Sequence, residues 1–206
     1  MTDREQLCAG LSQAAWGYFL LHFNFNLNFD AASINILPNF VGALLLLSAV
    51  GKLSAERRDL LLLRPLCVLL AVWHGADWVL AVLGSGLEER GGSFLGMLVT
   101  AAALYFHFQF LTDMAALAEK YQPEGETLDL RFRRRRTALL VLTTAANLLS
   151  SMAQLLRSER QAVVLAGAVV CLVVVLLVLV VMIMVSLFQL RRYAGESGGM
   201  TAEPPQ

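Results

Sequence analysis

Residues 162–190 form an apolar run that contains no charged side chain. A helix needs about 20 mostly apolar residues to cross the hydrocarbon core of a bilayer, so this run can span a membrane with some tilt. Six windows of this general character are 7–29, 36–53, 60–83, 94–113, 137–156 and 162–190. The sequence therefore predicts an all-α fold, a compact bundle of six transmembrane helices that forms one domain at 1–192. A flexible cytoplasmic tail is predicted at 193–206.

The composition matches a protein that is dissolved in lipid. Hydrophobic residues make up 57% of the chain and charged residues only 16%, whereas about 25% charged residues is usual for a soluble domain. A soluble domain of this size could not cover so much apolar surface. Sixteen basic and sixteen acidic residues cancel, and the three cysteines form no CxxC pair. These features argue against a disordered chain, a disulfide scaffold, a thiolate metal site and a nucleic-acid-binding module.

The distribution of the basic residues predicts the orientation. With the N-terminus inside, thirteen of the sixteen Lys and Arg residues lie on the cytoplasmic side, and only Arg90, Arg157 and Arg160 lie outside. The positive-inside rule then places both termini in the cytoplasm. An arginine run before the fifth span is expected to fix this topology and to contact anionic lipid headgroups. Its members are Arg131, Arg133, Arg134, Arg135 and Arg136.

The third predicted span contains the ionisable stretch WHGADW. His74 and Asp77 are three residues apart and therefore share a helix face, with Trp73 and Trp78 beside them. Ionisable groups in hydrocarbon are costly and often functional. Two interpretations stay open: a structural role, with the tryptophans at the outer interface, or a ligand-binding or proton-relay role. Asp77 is the one carboxylate that is predicted well inside a span.

A second polar cluster follows the first predicted span. In HFNFNLNF the polar and apolar residues alternate with a period of two, which is typical of an extended segment. Such a segment must pack against protein or line a wet cavity when it lies at membrane depth. The alternative is an ordinary helix whose asparagines bond neighbouring helices. The five asparagines of this region are Asn24, Asn26, Asn28, Asn35 and Asn39.

Helical rise places the two clusters at a similar depth, with His22 and Asp77 each about 20 Å from the inner ends of their spans. We expect them to form an outward-facing pocket in which asparagines hydrogen-bond a ligand and tryptophans supply an apolar wall. Asp77 would hold or exchange a proton or cation with His74. His107 is expected nearer the cytoplasm, in a packing seam of small residues. The predicted ligand site comprises His22, Asn24, Asn26, Asn35, Asn39, Trp73, His74, Asp77 and Trp78.

These features favour a protein that binds or translocates a small solute. The alternative is a non-transporting subunit that scaffolds or regulates a protein partner, with a homo-oligomer also possible. No paired carboxylates and no Ser–His or Cys–His constellation occur at a convincing spacing, so we expect no enzymatic activity and no cofactor. Three histidines on three helices fit zinc or haem poorly, because His107 is expected at a different depth and because HExxH and CxxCH motifs are absent.

The segments AAWGYFLLHFNFNLNF and INILPNFVGALLLLSAV resemble small six-span membrane proteins of Gram-positive bacteria whose activity is uncharacterised. RRDLLLLRPL, AVWHGADWVLA and LYFHFQFLTD extend this resemblance over most of the first 115 residues. It implies a compact helical bundle in a bacterial plasma membrane and carries no site. In length and helix number the chain is also similar to the substrate-binding subunits of energy-coupling-factor vitamin transporters. Gly10 and Ala14 have a four-residue spacing of small side chains that is similar to the spacing on the first helix of those subunits. The similarity is one of architecture and carries no functional residue.

Overall fold

The computed structural model describes residues 3–23, 26–29, 32–35, 39–83, 87–155 and 159–196. Within these ranges the chain forms six α-helices, so the predicted helical fold class is confirmed. They are α1 (Asp3–His22), α2 (Asn39–Leu53), α3 (Leu63–Val82), α4 (Leu87–Tyr121), α5 (Leu128–Leu155) and α6 (Glu159–Glu196). A short antiparallel hairpin of β1 (Asn26–Phe29) and β2 (Ala32–Asn35) lies between α1 and α2. A 3₁₀ helix, Arg58–Leu62, leads into α3.

Three helical segments are long and apolar enough to cross a membrane, Arg58–Val82, Phe94–Tyr121 and Val163–Glu196. The shorter α2 is apolar over its 15 residues. Large apolar side chains face outward on these elements, including Leu83 (72% exposed), Phe94 (71%) and Val164 (75%). Exposed apolar surface of this extent fits contact with lipid. By length and composition, these helices indicate a membrane protein.

The helices pack in a ring that follows the order of the sequence. Each helix contacts the next, α6 returns to contact α1, and α4 also touches α6. At one end of the ring, the Arg4 Nε donates a hydrogen bond to the Ala194 carbonyl oxygen (3.3 Å). We call this the termini end, and it also holds the α2–α3 and α4–α5 connections. At the opposite, hairpin end, β2 packs against α3.

The hydrophobic core lies nearer the termini end. Its largest fully buried side chains include Tyr18, Phe106, Phe110 and Phe132. Towards the hairpin end, by contrast, the side chains of α4 between 94 and 105 and of α6 between 163 and 178 are mostly exposed or half-exposed. The tightest side-chain packing therefore surrounds the middle and the termini end of the ring.

Helices α1 and α2 approach each other closely through glycines. A Cβ added to Gly42 would lie 2.5 Å from the backbone nitrogen of Leu21 and 2.8 Å from the carbonyl oxygen of Gly17. One added to Gly10 would lie 3.0 Å from the Leu53 side chain. Small residues at such a crossing let two backbones touch. The small-residue face of α1 is therefore used within the bundle, against α2.

The ends of several elements differ from the predicted spans. Helix α1 ends at His22, whereas the first predicted span continues to residue 29. The period-two interpretation of HFNFNLNF is confirmed for 26–29, which pairs with 32–35, and the helical alternative is wrong there. Helix α6 continues to Glu196, so residues 193–196 of the predicted tail are helical, and Tyr193 and Ala194 are buried. Residues 197–206 of that tail lie outside the described residues.

Candidate functional site

Aromatic and histidine side chains from α1 and α4 meet in the interior of the ring. The Tyr18 ring stacks on Phe110, with ring centroids 5.4 Å apart, and meets the edge of His107 at 5.6 Å. The rings of His22 and His107 lie 4.7 Å apart. Phe106 completes the group by stacking on Phe110. We call these five residues the aromatic–histidine cluster.

Helical spacing explains how these residues come together. Tyr18 and His22 are four residues apart and so share one face of α1. Phe106 and Phe110 have the same spacing on α4, and His107 lies beside them. The backbones of α1 and α4 do not pack closely together in the ring. The two helices therefore meet through long side chains, which bridge the interior.

The hydrogen bond of His22 fixes one proton of its ring. Its Nδ1 lies 2.8 Å from the carbonyl oxygen of Tyr18. A carbonyl oxygen only accepts hydrogen bonds, so Nδ1 must carry the proton and donate. In the neutral ring, Nε2 then has a lone pair and can accept a hydrogen bond or a proton.

Three polar atoms of the described residues are buried without a hydrogen-bond partner. They are the Tyr18 hydroxyl, Nδ1 of His107 and Oδ1 of Asn39. An unsatisfied buried polar group costs about 1–3 kcal/mol, and native proteins rarely leave one without a partner. Asn39 begins α2, one turn before the close approach of Gly42 to Leu21, and so lies beside the end of α1. Of the three, the Tyr18 hydroxyl and Nδ1 of His107 belong to the cluster and could hydrogen-bond a small molecule or water between its aromatic rings.

Only some of the predicted ligand residues lie at or near this cluster. His22 belongs to it, and the half-buried His74 of α3 lies within electrostatic range of His22. Asp77 is within electrostatic range of His74, but its side chain is exposed. Trp73 packs against the hydrophobic core, and the Trp78 ring lies edge-on to the Phe40 ring. Asn26 pairs with Asn35 across the hairpin. Asn24 lies outside the described residues.

The prediction that His107 lies apart from His22 is wrong, because their rings are in contact. That prediction counted helical rise from the predicted ends of two spans. Helix α1 has 20 residues and α4 has 35, so their ends do not lie at equal depths. A distance counted from the end of a helix therefore does not show whether two residues on different helices lie at the same depth.

Within the described residues, no group of three His, Cys, Asp or Glu side chains could hold a metal ion.

The sequence did not reveal the buried carboxylate of Asp113, which is fully buried on α4. Nε of Arg57 donates to its Oδ1 (2.6 Å), and Nε2 of Gln109 donates to its Oδ2 (3.1 Å). The prediction that Asp77 is the one carboxylate well inside a span is therefore wrong, because Asp113 lies eight residues before the end of the apolar segment Phe94–Tyr121. Asp113 was placed at the last residue of the fourth span, but α4 continues for two more turns to Tyr121.

A second polar contact joins the α2–α3 connection to the end of α4. Glu56 accepts hydrogen bonds from Nζ of Lys120 (2.6 Å) and from the Tyr121 hydroxyl (2.7 Å). The Lys120 contact is the main cause that lowers the pKa of Glu56 below its ordinary value of 4.5. Glu56 itself lies in the α2–α3 connection at the termini end, outside the membrane-spanning segments, whereas Lys120 and Tyr121 are the last two residues of the segment Phe94–Tyr121.

A carboxyl group whose pKa is lower in the folded than in the unfolded protein stabilises the fold at pH values above the unfolded-state pKa. This stabilisation is lost as the pH falls through the folded-state pKa. We expect the stability of the wild type to decline as pH falls below about 4.5, with a contribution from Glu56 of at most about 1 kcal/mol because Lys120 is exposed. Thermal unfolding in detergent between pH 7 and 3.5 measures this decline. Glu56→Gln should reduce it, whereas Glu124→Gln, an exposed residue of the α4–α5 connection, should not.

The arginine run lies in the first turns of α5 at the termini end. Arg131 pairs with Glu126 (3.5 Å) and Arg133 with Glu119 (3.2 Å). Arg135 donates to the hydroxyl of Ser186 and the Met182 carbonyl oxygen of α6. The run therefore joins α5 to its neighbours as well as presenting charge.

Comparison of the chain with protein-family models, with curated proteins and with solved structures gave no significant match, so the resemblance to six-span bacterial proteins stays a prediction.

Proposed function

We propose that this chain is a six-span protein of a bacterial plasma membrane that binds a small solute at the aromatic–histidine cluster and either holds or translocates it. Three helical segments are apolar and long enough to cross a bilayer. Both described ends lie together at the termini end, as six passes require. The arginine run lies at the same end, which by the positive-inside rule faces the cytoplasm.

The observation that carries the solute proposal is the set of unpartnered buried polar atoms. The Tyr18 hydroxyl and Nδ1 of His107 belong to side chains whose rings are 5.6 Å apart. Stacked aromatic rings beside a few polar atoms are typical of sites for small molecules with a planar apolar part. Oδ1 of Asn39 only accepts hydrogen bonds, so a ligand that reaches it must supply a donor. The proposed solute is therefore small and partly aromatic, and a solute that also extends to Asn39 would carry an N–H or O–H group.

His74 and Asp77 extend this site towards the hairpin end. His74 lies within electrostatic range of both His22 and Asp77. Under the proposed topology, the hairpin end faces the outside, and the exposed Asp77 would exchange a proton or cation with His74. His22, His74 and Asp77 would then form the route between the outer surface and the cluster.

The Tyr18 hydroxyl offers a direct test. Tyr18→Phe removes an unpartnered buried hydroxyl, so the ligand-free protein should be up to about 1 kcal/mol more stable than the wild type. The same change should weaken solute binding about tenfold, because one buried hydrogen bond to the ligand is lost. Native mass spectrometry after gentle purification measures the small molecules retained, and thermal unfolding measures stability.

Tyr105→Phe is the matched control, because Tyr105 lies on α4 and is 50% exposed. It should change neither readout. A Tyr18→Phe protein that is less stable and retains the same small molecules as the wild type would show that the cluster is a structural core.

A second function is favoured by the exposed polar residues on α5. Asn147, Ser150 and Ser151 are exposed in the segment that is predicted to span the membrane. Polar side chains at helix surfaces in a bilayer commonly bond a neighbouring helix. The chain would then be a membrane subunit that docks a partner helix or a second copy through α5. Crosslinking from a cysteine at position 147 in intact membranes would reveal such a neighbour.

A further inference from the structure

An open groove of about 590 Å³ lies on the outer surface of α5 near the termini end. Three arginines of the run line the part of the groove nearest the start of α5. A threonine and two apolar residues line the part that follows along the helix. The lining residues are Arg133, Arg134, Arg136, Thr137, Ala138 and Val141.

The groove carries positive charge that its surroundings do not neutralise. Arg133 pairs with Glu119 of α4, but Arg134 has no ionic partner in the part of the chain that the structure describes. The described contacts of Arg136 are to neutral groups, the Thr112 hydroxyl (2.7 Å) and the Phe108 ring (4.5 Å). The groove therefore complements an anion.

The Arg136 guanidinium is held in place before any ligand binds. The Thr112 hydroxyl that accepts its hydrogen bond donates in turn to the Phe108 carbonyl oxygen (2.6 Å). Phe108 supplies the ring over which the guanidinium lies. A planar guanidinium presents five N–H donors and matches phosphate oxygens better than an ammonium group does. Because its side chain is already ordered, Arg136 loses little further entropy on binding phosphate.

The other end of the groove is apolar. Val141 is 61% exposed and lies five residues beyond Arg136 along α5, which is about 7.5 Å of helix. Beyond it α5 continues with further apolar side chains, including the exposed Leu148. A ligand that fits the whole groove has an anionic group at one end and a hydrocarbon chain at the other.

We infer that this groove binds an anionic phospholipid, with its phosphate at the arginine end of the groove and an acyl chain along Val141. The inference rests on the bundle lying in a bilayer and is independent of solute binding at the aromatic–histidine cluster. A bilayer places both parts of the lipid at this depth, whereas free phosphate would leave the apolar part uncovered. The bound lipid would cover the outer edge of the α4–α5 contact.

The test is native mass spectrometry of the full chain, released from nanodiscs that contain equal amounts of phosphatidylglycerol and phosphatidylcholine. The wild type should retain phosphatidylglycerol preferentially. Arg134→Gln together with Arg136→Gln should weaken that retention about thirtyfold, since each arginine near a phosphate contributes a similar share. Arg134→Gln alone should give about a fivefold loss, and it removes no described contact that holds the helices together.

Arg191→Gln removes one positive charge from an exposed position on α6 at the same end and should retain the lipid as the wild type does. Equal retention of the two lipids by the wild type would overturn the inference. So would an equal loss in Arg191→Gln, which would indicate only general charge attraction. Displacement of the lipid by millimolar inorganic phosphate would show that the groove is a site for free phosphate.

Discussion

Gly42→Ala should cost about 3 kcal/mol of stability, at the upper end of the usual range for overpacking. The added Cβ would lie 2.5 Å from the backbone nitrogen of Leu21 and 2.8 Å from the carbonyl oxygen of Gly17. These two atoms belong to successive turns of α1, so no side chain can rotate to make room. Helix α2 must move away from α1, and the contacts of Leu46 and Ala43 with the core loosen with it.

The measurement is reversible unfolding in mixed micelles, followed by circular dichroism. Gly167→Ala is the matched control, because a Cβ at Gly167 of α6 meets nothing within 4 Å. That change should leave stability the same or raise it by up to about 1 kcal/mol, through the better helix propensity of alanine. If Gly42→Ala unfolded at the same denaturant concentration as Gly167→Ala, the close approach of α1 and α2 would be refuted.

Arg57→Gln should be similarly damaging, at about 3 kcal/mol. The change removes the charged partner of Asp113, whose side chain is fully buried, and leaves a carboxylate with the hydrogen bond of Gln109 alone. Breaking a buried ion pair from one side costs about 3–5 kcal/mol, and the low end applies because Arg57 is itself about one-third exposed. The α2–α3 connection would also lose its tie to α4.

The two partners should respond unequally. Asp113→Asn should cost only about 1 kcal/mol, because Arg57 keeps its contact with Asp59 at 3.1 Å and stays partly solvated. Arg58→Gln controls for loss of charge in the same connection, since Arg58 is exposed. A double-mutant cycle on Arg57 and Asp113 gives the coupling directly. Equal and small effects of Arg57→Gln and Arg58→Gln would contradict a buried pair.

Local patterns in the sequence were enough for the elements but not for their contacts. The apolar windows predicted each helix, and the alternation in HFNFNLNF predicted the strand at 26–29, because period and hydropathy are properties of neighbouring residues. The contact of His22 with His107 and that of Arg57 with Asp113 join residues far apart in the chain. They depend on how helices of unequal length are aligned along the ring, which no local pattern records.

The candidate site shows the same division. The sequence draws attention to the three histidines, but its patterns group His22 with Asp77 and the asparagines that follow α1. In the structure Asp77 is exposed, and the polar atoms without partners are those of Tyr18, Asn39 and His107. Tyr18 gave no signal in the sequence, because a tyrosine in an apolar helix is ordinary. The role proposed for Tyr18 rests on the packing of its ring between Phe110, His107 and His22.

The contact between α1 and α6 at the termini end has a consequence for the order in which the bundle assembles. Helix α1 falls outside the group of helices apolar enough to enter a bilayer unaided, and its first turns contact residues near the C-terminal end of α6 through Arg4 and Cys8. During synthesis α6 emerges after the other five described helices, so α1 must wait for that partner until they have been made. The glycine contact with α2 is available much earlier. The contact between α1 and α2 can therefore form well before the ring closes, because closure requires α6.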